Sequence, residues 1–173
     1  MEELKKFIRE VPDHPKKGVL FYDITTLFKN AGAFQKTVEL LAGRYVGRNV
    51  DLVMGIESRG FCIGAAVAYK LGKGLVLVRK KGKLPMRTRR ASYKLEYGTD
   101  EIEVHEDAVE KGMNVLIVDD LLATGGTAQA AASLVESSGG RVVECAFIIE
   151  LEFLKGREKL RPHSTFSLIK YKR

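Results

Sequence analysis

The chain is expected to be an α/β protein, a doubly wound, mostly parallel sheet flanked by helices. Three observations carry that expectation. Short apolar runs of strand length alternate with longer segments that carry apolar residues at helical spacing. The joints between them are short, as right-handed crossovers between parallel strands require. One run, VLIV at 115–118, stops at paired aspartates, Asp119 and Asp120, with the glycine pair Gly125-Gly126 close behind. Open α/β sheets hold their ligands in the crevice beyond such strand ends.

Taken in order, MEELKKFIRE reads as an amphipathic helix with Leu4, Phe7 and Ile8 on one face. It is charged throughout, with no signal-peptide core. DLVMGI (51–56) reads as a buried strand, and RGFCIGAAVAYKLG (59–72) as a helix closing on Gly72. GLVLV (74–78) and NVLIV (114–118) follow as strands. GTAQAAASLVESSGG (126–140) is a helix with a Gly-Gly stop, RVVECAFIIEL (141–151) the next strand and FSLIKY (166–171) the last. The polar stretch from about Lys80 to His105 separates two core strands. It is expected to be a long loop, of the kind that serves as a lid or stays disordered.

Length and composition set the bounds. With 173 residues the chain is expected to form a single domain over 1–173. No stretch approaches the roughly 20 apolar residues of a membrane span. Cys62 and Cys145 lack the spacing of a metal site and both sit in apolar runs, so two buried, reduced thiols are expected. The histidines form no ligand pattern, and the cytoplasm is the expected location. The formal charge of +7 is concentrated at Arg79, Lys80, Lys81, Lys83, Arg87, Arg89, Arg90 and Lys94. Such a cluster suits nucleic acid, a small polyanion such as a phosphorylated metabolite, or simply solvent.

The aspartate pair narrows the choice. Thr124-Gly125-Gly126-Thr127 leads into a helix, so its backbone N–H groups converge at the positive end of the helix dipole, with threonine hydroxyls beside them. That is a phosphate cradle without the lysine of a P-loop or the GxGxxG of a dinucleotide fold. Carboxylates next to it would repel a phosphate but accept hydrogen bonds from a vicinal diol. A ribose 5-phosphate meets both demands. The run VDDLLATGGT (118–127) resembles the phosphoribosyl pyrophosphate (PRPP) motif of type I phosphoribosyltransferases.

Further stretches resemble the adenine-specific branch of that family in the same order: GVLFYDITTLF (18–28), GIESRGF (55–61), VRKKGKLP (78–85), ASYKLEYG (91–98) and LKGREKL (154–160). The resemblance implies a type I phosphoribosyltransferase fold with a small N-terminal hood, about 1–35, and a long flexible lid, about 80–105. It implies transfer of phosphoribose from PRPP to adenine, giving AMP and pyrophosphate. Mg²⁺ is expected as cofactor, held mainly by PRPP and water and by no dedicated protein site. Asp119, Asp120, Ala123, Thr124, Gly125, Gly126 and Thr127 would bind PRPP and AMP. Ser58, Arg59, Lys80, Lys83 and Tyr97 would face the pyrophosphate, and relatives carry a non-proline cis peptide that would fall at Glu57-Ser58. Leu20 and Phe21, with Tyr22, would meet adenine, although Phe21 reads equally as core and some relatives carry arginine at the position of Tyr22. Relatives that use hypoxanthine or guanine place an acid where Ala123 stands. Acid–base work is therefore assigned to Glu96 of LEYG, acting at the purine N7.

A rival reading keeps the fold and makes the chain a PRPP-sensing regulator that binds nucleic acid through its basic surface. No helix-turn-helix segment precedes residue 18, and Glu96 would be idle in a sensor. The expected partners are thus adenine, PRPP and, because the family is commonly dimeric, a second copy; neither nucleic acid nor membrane is expected. The arginines of MRTRR (86–90) answer no chemical need.

Overall fold

The computed structural model describes residues 1–94 and 98–172. Among them a seven-stranded sheet forms the centre. Its parallel part runs β4 (Gly74–Lys80), β3 (Leu52–Ile56), β7 (Asn114–Leu122), β8 (Arg141–Leu151) and β9 (Thr165–Tyr171). The crossovers are helices: α3 (Arg59–Leu71) returns the chain from β3 to β4, and α4 (Gly126–Ser137) from β7 to β8. The doubly wound α/β expectation holds.

Side chains of the central strands alternate between two apolar layers, as the two-residue period of a strand demands. Leu116, Val118 and Ala146 face one layer with Val67 of α3 and Leu41 of α2 (Ala31–Gly43). Val115, Ile117 and Cys145 face the other with Ala131 and Leu134 of α4. Runs such as VLIV are therefore apolar throughout because both faces are covered. Each large side chain so buried contributes about 1.5–3 kcal/mol. Asn30 starts α2 by accepting a hydrogen bond from Ala33 N at 2.9 Å, and Gly72, left-handed at φ 64°, ends α3 as the sequence suggests.

The N-terminal segment differs from a simple helix. Glu2–Phe7 form a 3-10 turn, after which Arg9–Val11 (β1) pair antiparallel with Phe21–Asp23 (β2). Leu4 and Ile8 are buried as expected. This segment, with the short α1 (Thr25–Lys29), docks on α2 and β9. Tyr22 is 4% exposed and stacks at 4.1 Å on Tyr171 of β9.

The stretch from Lys80 to His105 also departs from the expected plain loop. Thr88–Lys94 (β5) and Thr99–His105 (β6) form an antiparallel ladder, and β6 adds to the edge of the sheet beside β4. Polar residues alternate here with Ala91, Ile102 and Val104, and only the latter reach the core, so the apolar signal is sparse. Among the two thiols, Cys145 is buried as expected, but Cys62 is exposed: it lies on the outer face of α3. No helix among the described residues is long and apolar enough to cross a membrane.

Candidate active site

The carboxyl end of β7 opens into a cleft of about 440 Å³. Its lining brings together Glu57, Ser58 and Arg59 after β3, Lys80 at the end of β4, Tyr93 on β5, and the continuous run from Asp119 to Ala128. Residues from the carboxyl ends of the parallel strands β3, β4 and β7 thus meet in one place, as their shared direction dictates, and Tyr93 joins them from the antiparallel β5.

The Gly-rich turn is built for close approach. Gly125 is left-handed, at φ 79°, which turns the chain sharply into α4. The first bond within the helix runs from Gln129 N to Gly125 O at 2.9 Å. The N–H groups of Gly126, Thr127 and Ala128 lie ahead of it, at the positive end of the dipole. Such an arrangement suits an anion such as a phosphate. Thr124 is exposed at the rim.

The aspartates differ in setting. Asp119 is half-buried, and its Oδ1 accepts from Asp120 N at 2.9 Å. Burial, and then the adjacent Asp120 carboxylate, raise Asp119 well above the ordinary carboxylate value. α3 presses on it closely: a Cβ on Gly60 would lie 2.7 Å from Asp119 Oδ1. Asp120 is 5% exposed and accepts from Arg59 Nε at 2.5 Å. Burial disfavours the Arg59 charge, but Asp120 outweighs it and lifts the guanidinium above its usual value. The same guanidinium sits 5.6 Å from the centre of the Phe21 ring. Arg59 therefore links the acidic pair to the N-terminal segment.

The Glu57-Ser58 peptide is cis, at the position that the resemblance indicates. Sequence reasoning passed over Glu57 itself, which collects the basic residues around it. It accepts from Lys80 N at 2.9 Å and from Lys83 Nζ at 3.2 Å, with Arg79 Nε at 3.4 Å. Burial opposes ionisation, yet the Lys80 N–H and the two cations hold Glu57 below its usual value. Glu103 does the same for the turn behind it. Only 1% exposed, it accepts from Lys83 N, Leu84 N, Thr88 Oγ1 and Arg90 Nε at 3.0–3.1 Å. Tyr93 was missed as well. Its hydroxyl donates to Asp100 Oδ2 at 3.0 Å, while Lys80 Nζ lies 3.3 Å from Asp100. For Tyr93 the available signal was its place three residues ahead of Glu96; Glu57 stands between Ile56 and Ser58, with nothing beside it in the sequence to mark its basic partners.

Of the residues expected at the site, Ser58, Arg59, Lys80, Asp119, Asp120, Ala123, Thr124, Gly125, Gly126 and Thr127 all line the cleft. Lys83 reaches it through Glu57. Phe21 stands beside Arg59, and Leu20 is 40% exposed. Tyr22 is the exception: it points into the core against Tyr171, because β2 alternates and turns its central residue inward. Glu96 and Tyr97 lie outside the described residues.

A strand ending in an acid pair and a Gly-rich turn at a helix start, faced by cations, is an arrangement suited to a sugar phosphate. The chain matches the phosphoribosyl transferase domain over residues 23–170. It is 58% identical to the adenine phosphoribosyltransferase of Geotalea daltonii over 171 residues, covering 99% of this chain and all of that one. Its fold is similar to the crystal structure of the Thermoanaerobacter pseudethanolicus adenine phosphoribosyltransferase, with TM-score 0.96, 55% identity and 98% and 99% of the two chains covered. The Saccharomyces cerevisiae enzyme, solved with an imino-altritol bisphosphate and adenine, matches at TM-score 0.91 and 43% identity over 96% and 97% of the chains. The chain belongs to the adenine phosphoribosyltransferase family.

Proposed function

We propose that the chain converts adenine and PRPP to AMP and pyrophosphate, as an enzyme of purine salvage. The observation that carries this reading is the single cleft in which Asp119, Asp120 and the cup from Ala123 to Thr127 face Arg59 and Lys80. The cup would take the 5-phosphate of PRPP and the aspartates its two ribose hydroxyls. Asp119 Oδ1 and Asp120 Oδ2 already accept protein hydrogen bonds, so each carboxylate has a second oxygen to offer. Ser58, Arg59, Lys80 and Lys83, with Tyr97, would surround the pyrophosphate and offset the charge that grows on it as the bond to ribose breaks.

The other face of the ribose would receive adenine beside Leu20 and Phe21. Ala123 carries no proton, and Glu96 would exchange one with the purine N7. Closure of the segment that carries Glu96 would keep water from capturing the electron-poor ribose. The cleft suits a magnesium ion that arrives on PRPP. Its carboxylates are hard oxygen donors, but Glu57 and Asp120 are already engaged by cations, so substrate oxygens and water would hold most of the ion. Held there, the ion would offset charge on the pyrophosphate alongside Arg59 and Lys80. The reading extends to a cytoplasmic homodimer in which each chain is a single domain with a hood and a lid.

The test is turnover with PRPP, magnesium and each purine or pyrimidine base in turn. Adenine is the expected substrate by a wide margin; preference for hypoxanthine, guanine or orotate would overturn the base assignment and leave the sugar-phosphate site standing.

A further inference from the structure

We propose that Gly156 and Arg157 form a brace that positions the phosphate cup although neither lines the cleft, an inference that rests on the reading of residues 119–127 as the PRPP site.

The two segments touch backbone to backbone. A Cβ at Gly156 would lie 2.2 Å from Ala123 O and 3.0 Å from Gly125 N. Conversely, a Cβ at Gly125 would lie 2.5 Å from Gly156 O. Contacts that close admit no side chain on either partner, so each backbone fixes the other. The atoms in contact belong to the turn whose N–H groups face the cleft, and any shift of Gly156 moves them directly.

The brace is itself held from outside the cup. Lys155 enters it in a left-handed conformation at φ 54°, and the short α5 (Gly156–Lys159) follows. Arg157 donates from Nε and Nη2 to the two oxygens of Glu150 at 2.9 and 2.5 Å, and from Nη1 to Thr165 O at 2.5 Å. Glu150 is 3% exposed, and Arg157 holds it ionised against its burial. Glu150 pairs with Leu122, the residue directly before the cup. Arg157 thus ties α5 to β8 and β9 at the level where β7 ends. This accounts for the Gly-Arg of LKGREKL by geometry.

Positioning predicts a selective defect. Gly156→Ala should raise KM for PRPP and the dissociation constant of ribose 5-phosphate by roughly tenfold to a hundredfold, the order expected of a displacement near 1 Å. KM for adenine at saturating PRPP should not change. Arg157→Lys, which keeps the charge and loses the fork, should do the same more weakly, and it decides the matter if Gly156→Ala does not fold. Both are measured far below their melting temperatures, with wild type in parallel. Lower melting temperatures with wild-type PRPP and ribose 5-phosphate constants would overturn the brace, as would an equal rise in KM for both substrates. A wild-type protein that binds no ribose 5-phosphate would remove the reading of the cleft along with it.

Discussion

At the scale of single residues, Asp119 shows how function sets itself against stability. Its carboxyl is raised by burial and by Asp120, so the folded chain binds a proton there more tightly than the unfolded chain does. Where the folded group is protonated and the unfolded one is not, stability falls as pH rises. Asp119→Asn removes this charge while keeping the oxygen that accepts from Asp120 N. The variant should melt higher than wild type at neutral pH, by about 0.5–2 kcal/mol of stability, and the gain should shrink in acid. PRPP should bind it roughly tenfold or more weakly, since a hydrogen bond to a charged acceptor is lost. Calorimetric melting from pH 4 to 8, with PRPP titrations, checks both halves. The thiols give a simpler contrast. Burial pushes Cys145 up to about 12, while Cys62 is exposed. In the native protein a maleimide should label Cys62 alone, and Cys145 should react only after denaturation, as mass spectrometry will show.

At the scale of elements, legibility followed the range of the interactions. β7, the cup and α4 are contiguous in the chain, so their apolar run, acids and glycines announced both strand and site. The β5–β6 ladder did not announce itself. Its side chains are mostly polar, its support comes from β4 and α4, and MRTRR enters its edge strand with Arg89 and Arg90 exposed. Glu57 and Glu103 were illegible for the same reason: each acts through partners some 20 residues distant, and a sequence shows an acid without showing what it will hold. Tyr22 was misread because a three-residue strand gives too little alternation to say which face is inward. Removing Glu103 tests the element. Glu103→Ala leaves Lys83 N, Leu84 N, Thr88 Oγ1 and Arg90 without their acceptor and should cost roughly 1–3 kcal/mol, part of it recovered through water at half-exposed Arg90. KM for PRPP should rise with it because Lys83 loses its fixed backbone; denaturant melts and initial rates report the two effects.

At the scale of the whole molecule, buried carboxylates on β8 tie outer segments to the sheet. Glu150 does so for α5, and Glu144 for the end of α2. Glu144 accepts from Arg44 Nε at 2.6 Å, from Tyr45 OH at 2.8 Å and from Arg48 Nη1 at 3.3 Å, so three residues from one turn converge on one strand position. Burial opposes its charge, and Arg44 and Tyr45 still hold Glu144 below its usual value. Tyr45 is 2% exposed, and Tyr45→Phe should cost about 1.5–3 kcal/mol, the worth of a hydrogen bond to a charged group. Because Glu144 is far along β8 from Glu150, kinetic constants should not move. A guanidinium melt beside a rate assay separates the two.

The stacking of Tyr22 on Tyr171 has a consequence for biosynthesis. A segment near the start of this sequence finds its seat on β9, which is synthesised long after it. Until Tyr171 has been made and clears the exit tunnel, Tyr22 has no ring to rest against. A nascent chain stalled before residue 165 would lack β9, and with it both the seat of this segment and the Thr165 carbonyl that Arg157 binds.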